Sequence, residues 1–290
     1  MRFTGTVLMW LITTTLLAIA VPALWLQHNI IDGAGYAALA QRAATEPELQ
    51  SAMATELTAE VGRLGVGVDS RFVSPIAVAY TASSAFPGQF ARANGFAHRW
   101  MFTDTIESSV DPQGRLVVDF APMLSDAAFA QTLRDYDITV PSAVPIALTD
   151  NAAAVLRPGA LREVGIWAPW VSMGIVVLAS ASALLMLIIA RNRGRALAAL
   201  GVSALLVGAS GWAAIELAQP YVLDALKGTS GNIRLIADVM VATVRSSMHQ
   251  WLNVTLIVGG GMVIVGVIVG LLSGLASAAS DAGMRSTTPT

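Results

Sequence analysis

The chain has 290 residues, of which 55% are hydrophobic and only 12% are charged. A soluble domain usually carries about 25% charged residues, so this composition and a mean hydropathy of +0.65 favour a protein that lies largely in a membrane. The formal net charge of −2 leaves no basic surplus for a nucleic-acid partner. The sequence has no cysteine, which excludes disulfides, thiolate metal sites and a lipidated N-terminal cysteine.

Four apolar stretches predict membrane-spanning helices, at residues 4–26, 166–190, 196–215 and 252–275. Each has about 20 residues or more, and at ~1.5 Å rise per residue each can cross the ~30 Å hydrocarbon layer. The predicted fold class is a mainly α membrane protein with four transmembrane helices. A mostly helical extracytoplasmic domain, α+β with a small hairpin, is expected between the first two spans.

The alternation of apolar and polar segments predicts eight regions. In chain order they are an N-terminal transmembrane anchor (1–26), an extracytoplasmic domain (27–163), transmembrane helix 2 (164–190), a cytoplasmic arginine turn (191–195), transmembrane helix 3 (196–218), a short extracytoplasmic segment with an amphipathic helix (219–251), transmembrane helix 4 (252–275) and a cytoplasmic tail (276–290).

The orientation follows from the arginines, because short cytoplasmic loops carry an excess of Lys and Arg. The turn Arg191-Asn192-Arg193-Gly194-Arg195, together with Arg2 and Arg285, predicts that both termini lie in the cytoplasm and that the protein is a multi-pass protein of the plasma (inner) membrane. A cleaved signal peptide is the alternative for the first stretch. Its apolar core is longer than the roughly 7–15 residues of a signal peptide, which favours a retained anchor.

Helical spacing and turn chemistry outline the extracytoplasmic domain. The predicted elements are helices at 45–64, 74–85 and 89–103 with an interruption at Phe86-Pro87-Gly88, a turn at 111–114 leading into a strand at 115–120, a helix at 122–136, extended pieces at 138–140 and 144–148, and a last helix from Asp150 or Asn151. Thr45 is expected to cap the first helix. The apolar face of that helix consists of Leu49, Met53, Leu57, Val61 and Leu64.

An amphipathic helix is predicted from residue 232 to about 251, ahead of the last span. Its polar strip consists of Arg234, Asp238, Arg245 and His249, and its apolar face consists of Ile233, Ile236, Ala237, Met240, Val244, Met248 and Trp251. Two interpretations remain open. The helix packs on the large domain as an outward extension of the fourth span, or it contacts a membrane surface or a partner, with Arg234 and Arg245 as contact residues.

Gly266, Gly270 and Gly274 recur at every fourth position of the last apolar stretch. Small residues at this spacing let two helix backbones approach closely, and close approach drives helix association in lipid. These glycines therefore predict either packing among the protein's own spans or an interface with another membrane subunit.

Few polar residues could take part in catalysis or in ion binding. Glu216 is expected to meet water or headgroups rather than to carry an ion or proton, since about 20 residues from Ala196 already reach the outer interface. His28, His98 and His249 have no partner at metal-ligand spacing, and the sequence has no nucleophile elbow or phosphate loop. We expect no catalytic residues, no cofactor, no metal and no nucleotide. We expect His98 to be a hydrogen-bonded structural residue.

Residues 92–100 are the densest group of polar and aromatic residues outside the apolar stretches. Arg92, Arg99 and Trp100 predict either a contact surface for anionic headgroups, because arginine matches phosphate geometry, or a solvated helix face with a buried aromatic residue.

The sequence also carries a resemblance. An anchor helix is followed by a segment with asparagine and His-Arg (Phe90 to Trp100), a strand from Gly114 to Pro122, an extended region from Ile138 to Asp150, and a span that ends in an arginine turn. This order resembles that of a family of uncharacterised actinobacterial integral membrane proteins with four spans. The layout is also similar to that of LucB-like accessory subunits of mycobacterial Mce lipid importers. That resemblance implies docking onto permease spans, and it supplies no active-site residues.

We therefore expect a non-enzymatic accessory or scaffold subunit of a cell-envelope membrane complex, best matched by a lipid import system of the Mce type. Its expected partners are membrane lipids and other membrane subunits with permease-like spans and extracytoplasmic components. The alternative is a stand-alone membrane protein whose extracytoplasmic domain binds a hydrophobic ligand or senses the envelope. An envelope hydrolase has no motif to support it.

Overall fold

The computed structural model describes residues 2–63, 70–103, 117–119, 145–147, 159–190, 192–225 and 231–285. Within them, the helices are α1 (Arg2–Leu26), α2 (Gly33–Ala43), α3 (Pro47–Arg63), α4 (Ser70–Thr81), α5 (Phe86–Phe102), α6 (Arg162–Ile189), α7 (Arg193–Ala225) and α8 (Gly231–Arg285). A π-helical turn, Gln27–Ile31, follows α1 directly. Two short strands, β1 (Val117–Asp119) and β2 (Pro145–Ala147), pair antiparallel.

Four helical segments are long and apolar enough to cross a membrane: Val7–Ile31, Arg162–Ile189, Arg193–Val222 and Gly231–Gly274. They coincide with the four apolar stretches of the sequence. The mainly helical class and the number of potential spans are therefore confirmed at the level of helix length and composition, as expected of a multi-pass membrane protein.

The chain forms two compact units. The first, here called the span unit, comprises Met1–Trp25, Trp170–Gln219 and Ser247–Thr290. The second unit comprises Leu26–Pro169 and Pro220–Ser246. Each unit is described separately below.

The turn between α6 and α7 shows how a polar residue starts a long apolar helix. Asn192 accepts a hydrogen bond at its side-chain oxygen from the Arg195 backbone N–H, at 3.2 Å, and so caps the first turn of α7. Arg193 and Arg195 lie at this helix start. The predicted arginine turn is thus a tight connection between two helices, although Arg191 lies outside the described residues.

The core of the second unit is built on helices α2 to α5. Leu49, Met53 and Leu57 of α3 are buried, as the spacing of apolar residues predicted, and Val61 is half-buried. Leu64 lies outside the described residues. The remaining buried members of this cluster are small or aromatic residues and one isoleucine: Ala40, Ala43, Ala44, Ala54, Ile76, Ala77, Tyr80, Phe86 and Phe90. Alanines at the helix contacts allow α2 to approach α5 and α3 to approach α4.

The aromatic part of this core explains one wrong prediction. Phe86 is fully buried, with the ring of Tyr80 edge-on at 5.7 Å and the ring of Phe90 at 5.8 Å. The Tyr80 hydroxyl also donates a hydrogen bond to Gln89. Phe86-Pro87-Gly88 was predicted to interrupt the helix, but it forms the first turn of α5. Proline is tolerated there because backbone N–H groups in the first turn have no acceptor within the helix.

Two further predictions in this region are corrected. The helix predicted at 74–85 is α4, which begins earlier and ends at Thr81. Thr45 does not cap the start of α3. Its hydroxyl instead donates to the Arg42 carbonyl at 2.7 Å, at the end of α2, and the Thr45 backbone N–H donates to the same oxygen at 3.1 Å.

The strand predicted at 115–120 is present as β1, and the extended piece predicted at 144–148 is present as β2. Val117 pairs with Ala147, Val118 with Ile146 and Asp119 with Pro145. Among the described residues the partner of β1 is thus a distant segment, so the expected hairpin is not shown. The predicted turn at 111–114, the helix at 122–136, the extended piece at 138–140 and the start of a last helix at Asp150 or Asn151 lie outside the described residues.

Helix α8 joins the predicted amphipathic helix and the predicted last span into one continuous helix of 55 residues. In the second unit, Ile236, Val239 and Met240 pack against the core cluster, which confirms that this part of the helix packs on the large domain. The predicted face was rotated too far, however. Ile233 was assigned to the apolar face but is 50% exposed, and Val239, which was not assigned to that face, packs on the core.

Candidate functional site

Hydrogen bonds tie α1 to α7 inside the span unit. Trp10 donates its indole N–H to the Ala199 carbonyl at 3.0 Å. Thr14 Oγ1 lies 2.7 Å from Ser203 Oγ, and Ser203 is completely buried. In a hydrocarbon environment an unpaired polar group is costly, so these pairs favour one alignment of the two helices.

The same helix is also bonded to α6 and α8. Thr13 Oγ1 lies 2.9 Å from Ser182 Oγ, and both residues are buried. Trp25 donates its indole N–H to Ser247 Oγ at 3.2 Å, again between buried residues. Helix α1 therefore has a hydrogen-bonded contact with each of the other three spans, which is the behaviour of a structural member of a helix bundle.

Glycines hold α7 against α8 at backbone contact distance. A Cβ atom added to Gly201 would lie 2.6 Å from the Gly259 carbonyl oxygen, and one added to Gly266 would lie 2.4 Å from the Ala198 nitrogen. Neither position can hold a larger residue unless the helices move apart. The same contact continues along the helices with leucines of α8 lying on glycines of α7, Leu256 on Gly208 and Leu252 on Gly211.

The three glycines singled out in the sequence have different surroundings. Gly266 is buried against α7. At Gly270 an added Cβ would meet nothing within 4 Å, although its backbone nitrogen would lie 2.4 Å from a Cβ added to Gly194. An added Cβ at Gly274 also meets nothing within 4 Å. Gly266 and the backbone of Gly270 therefore take part in the protein's own packing, whereas the side-chain positions of Gly270 and Gly274 face open space beside α8.

The α7–α8 contact has a polar group of side chains at one end. The imidazole of His249 stacks flat on the indole of Trp212, with ring centroids 3.7 Å apart and an interplanar angle of 5°. Glu216 Oε1 is 3.8 Å from His249 Nε2, which is too long for a hydrogen bond. Trp212 donates its indole N–H to Asn253 Oδ1 at 3.1 Å.

Sequence reasoning missed this group because the residues belong to different helices. Trp212 and Glu216 are four residues apart on α7, and His249 and Asn253 are four residues apart on α8, so each pair shares one helix face. The equal spacing of four residues on the two helices is the feature of the sequence that could have indicated this group. The Glu216 side chain is 52% exposed, although the residue lies within the potential span Arg193–Val222.

His98 has a structural role in the second unit, as predicted. It is 5% exposed, its Nε2 lies 2.9 Å from the Ile30 carbonyl oxygen, to which it donates, and its ring stacks on Phe102 with centroids 4.4 Å apart. Tyr36 lies 5.0 Å from the same ring, and burial raises the pKa of its phenol above the usual value of 10.0. This cluster joins the start of α2 to the end of α5.

The residues singled out as surface contacts lie on α5 and α8. Arg92 and Arg99 are both on α5, and the side chain of Trp100 lies outside what the structure describes. Arg234 lies 3.8 Å from Asp238, one turn further along α8. Arg245 is half-buried.

An open cleft of about 950 Å³ lies among the four helices of the span unit. Helix α1 lines it with Leu17 and Val21, and α8 lines it with Asn253, Val258 and Met262. Residues from α6 and α7 complete the walls, and every lining residue is uncharged. The remaining lining residues of the four helices are Thr13, Leu24, Ala179, Ser180, Ala183, Leu200, Ala204, Gln250, Trp251, Val254 and Thr255.

The described residues thus offer aromatic faces, hydrogen-bonding amides and hydroxyls, and hydrocarbon surfaces. No three His, Asp or Glu side chains in this part of the chain lie close enough to hold a metal ion. Comparison with known proteins adds no relative: no protein-family model, curated protein or solved structure matches the chain.

The glycine contact makes a direct prediction. Gly266→Ala introduces a Cβ that would lie 2.4 Å from the Ala198 nitrogen and 2.7 Å from the Gly194 oxygen, so α7 and α8 must separate. We expect a loss of about 1–3 kcal/mol in the free energy of unfolding, the usual range for overpacking. Detergent-titration unfolding of the full chain measures it. The control is Gly261→Ala, on the same helix, where nothing lies within 4 Å. Equal stability of the two variants would contradict the contact.

A double-mutant cycle tests the bond between α1 and α7. Thr14→Val, Ser203→Ala and the double variant are unfolded in mixed micelles, and the coupling free energy is taken from the four stabilities. Pairs of this kind in membrane proteins average about 0.6 kcal/mol, and we expect a value of that order. Thr15→Val is the matched control, because the exposed Thr15 bonds the Leu11 carbonyl of its own helix. Coupling to Ser203 as large for Thr15 as for Thr14 would rule out the assigned pair.

Proposed function

We propose that this chain is a non-enzymatic accessory or scaffold subunit of a cell-envelope membrane complex, and that this complex moves lipids. The observation that carries the proposal is the division of the glycines on α8. Gly259 and Gly266 have no room for a side chain because they pack against α7, whereas Gly270, whose backbone also packs on Gly194 of α7, and Gly274 one turn further have open space where a side chain would lie. Two small residues at this spacing suit the close approach of another membrane helix.

The surroundings of these two glycines support a partner helix. The most apolar window of the fourth span is only 11% buried within the chain. Val267, Ile268, Leu271 and Leu272, which neighbour the two glycines in sequence, are all at least half exposed. A helix with such a surface meets either lipid or a second protein, and two glycines one turn apart allow the backbone of a second helix to approach closely.

The second unit supports a scaffold role. It has a packed core of its own, formed by helices α2 to α5 together with the first turns of α8. A folded unit attached to a set of spans is suited to contact the parts of a complex that lie outside the membrane. The alternative of a hydrophobic ligand site in this unit has no specific observation in its favour among the described residues.

The lipid-moving complex and the orientation rest on the sequence. The layout is similar to that of accessory subunits of Mce lipid importers, and this similarity suggests a permease as the partner of the glycine face. Arg193 and Arg195 at the start of α7 suit the cytoplasmic side of a plasma membrane. The second unit would then lie outside the cytoplasm.

Gly270→Leu tests the proposed interface. The tagged full chain is purified from its own cells in mild detergent, and the co-purifying proteins are identified by mass spectrometry. We expect the variant to insert and fold normally, because an added Cβ at Gly270 meets nothing within 4 Å, and to lose its membrane partners.

Gly261→Leu is the matched control for this experiment. Gly261 has equally open surroundings, and nine residues along a helix of ~3.6 residues per turn place it on roughly the opposite side of α8. We expect it to keep the partners. Retention of every partner by Gly270→Leu would refute the proposed interface, and loss of the same partners from both variants would assign the effect to the helix as a whole.

A further inference from the structure

The cleft among the four spans has the length of one leaflet of a bilayer. On α8 it extends from Gln250 to Met262, and on α1 from Leu24 to Thr13. At ~1.5 Å per residue this is a distance of about 16–18 Å along the helices, close to half of the ~30 Å hydrocarbon thickness. A hydrocarbon chain that lies in the cleft would therefore reach from the membrane surface to about the midplane.

The polarity of the cleft changes from one end to the other. Gln250 and Asn253 lie at the end near Leu24, beside Trp251. The rest of the walls consists of leucine, valine, alanine and methionine together with Thr13, Ser180 and Thr255, and the hydroxyls of both threonines donate to carbonyls of their own helices. Tryptophan is enriched at the membrane–water interface, where its ring meets both phases. The polar end thus matches the position of a headgroup, and the apolar end matches that of a hydrocarbon tail.

The hydrogen bonding of Asn253 determines which group it can offer to a ligand. Its Oδ1 accepts the indole N–H of Trp212 at 3.1 Å, and stacking on His249 supports the Trp212 ring. The amide oxygen is therefore engaged, and the amide NH₂ is left to donate. A donor at the polar end complements an acceptor oxygen, and all of the lining residues are uncharged. An ester carbonyl of a phospholipid provides such an acceptor at the top of an acyl chain.

We propose that this cleft binds one acyl chain of a membrane phospholipid, with its ester carbonyl at Asn253. Apolar area alone gives no preference for the cleft, because lipid tails are as apolar as the helix surfaces. The preference comes from two features that the convex faces of the helices lack. The concave walls contact the chain on several sides, which adds dispersion attraction, and the amide adds a hydrogen bond. The inference does not depend on any partner complex.

Photo-crosslinking of the full chain tests the proposal. The protein is placed in nanodiscs of phosphatidylcholine and phosphatidylglycerol in equal parts, with a trace of phosphatidylcholine that carries a diazirine in one acyl chain. After illumination, the labelled residues are mapped by mass spectrometry. We expect labels to concentrate on Leu17, Val258 and Met262, which line the cleft, over Ile257, which is 74% exposed but does not line it.

Two neighbouring substitutions provide the matched comparison. Val258→Trp fills the cleft and is expected to lower the labelling of Leu17 and Met262 about tenfold, because the indole occupies the space of the chain and removes its dispersion contacts with the walls. Ile257→Trp makes the same change on the adjacent, outward-facing position and is expected to leave the labelling unchanged. Asn253→Leu tests the polar end and is expected to lower the labelling several-fold without filling the cleft.

Three results would overturn the proposal. Even labelling of Ile257 and the cleft residues in the unmodified chain would identify ordinary boundary lipid. Undiminished labelling of Val258→Trp would show that the chain does not occupy the cleft. Undiminished labelling of Asn253→Leu would remove the ester carbonyl from the assignment. The map from the unmodified chain decides the first point even if a variant fails to fold.

Discussion

Helices in a membrane cannot rely on the hydrophobic effect to find one another, because lipid tails are as apolar as the side chains they would replace. The span unit depends on the two interactions that remain. Close backbone contact at Gly201, Gly259 and Gly266 joins α7 to α8, and hydrogen bonds from threonine, serine and tryptophan join α1 to the other spans. The glycine contact brings α8 against α7 on one side, and the cleft lies along another side of α8.

The spans were predictable because composition alone determines them. A run of about 20 apolar residues has few alternatives to a spanning helix, and each predicted stretch corresponds to a helix of sufficient length. The apolar face of α3 was predictable for a similar reason, since Leu49, Met53 and Leu57 repeat at the helical period. Local patterns of this kind carry their own structural information.

Contacts between helices were harder to predict. The sequence drew attention to a repeat of four in Gly266, Gly270 and Gly274, but the glycines of α8 with no room for a Cβ beside α7 are Gly259 and Gly266, which are seven residues apart. Gly194 was only a small residue in an arginine turn, yet an added Cβ there would lie 2.4 Å from the Gly270 nitrogen. The stacking of His249 on Trp212 was likewise hidden, because it depends on the register of two helices. Register is set by the whole interface and is absent from either helix alone.

Local sequence patterns predict function less well than they predict secondary structure. The described residues supply contact surfaces, a cleft and a separate folded unit, and these features suit a subunit that binds lipid and other proteins. The proposed functions of these features require that the four apolar helices cross a bilayer, with the arginine turn between α6 and α7 on the cytoplasmic side.

Cysteine accessibility measures this premise most directly, because the sequence contains no cysteine of its own. Single cysteines are introduced at the exposed Ser51, at Arg193 and at Thr288 near the C-terminal end, and intact cells are treated with a membrane-impermeant maleimide. The account predicts labelling at position 51 in intact cells, and labelling at 193 and 288 only after the membrane is permeabilised. Labelling of positions 51 and 193 from the same side of an intact membrane would contradict it.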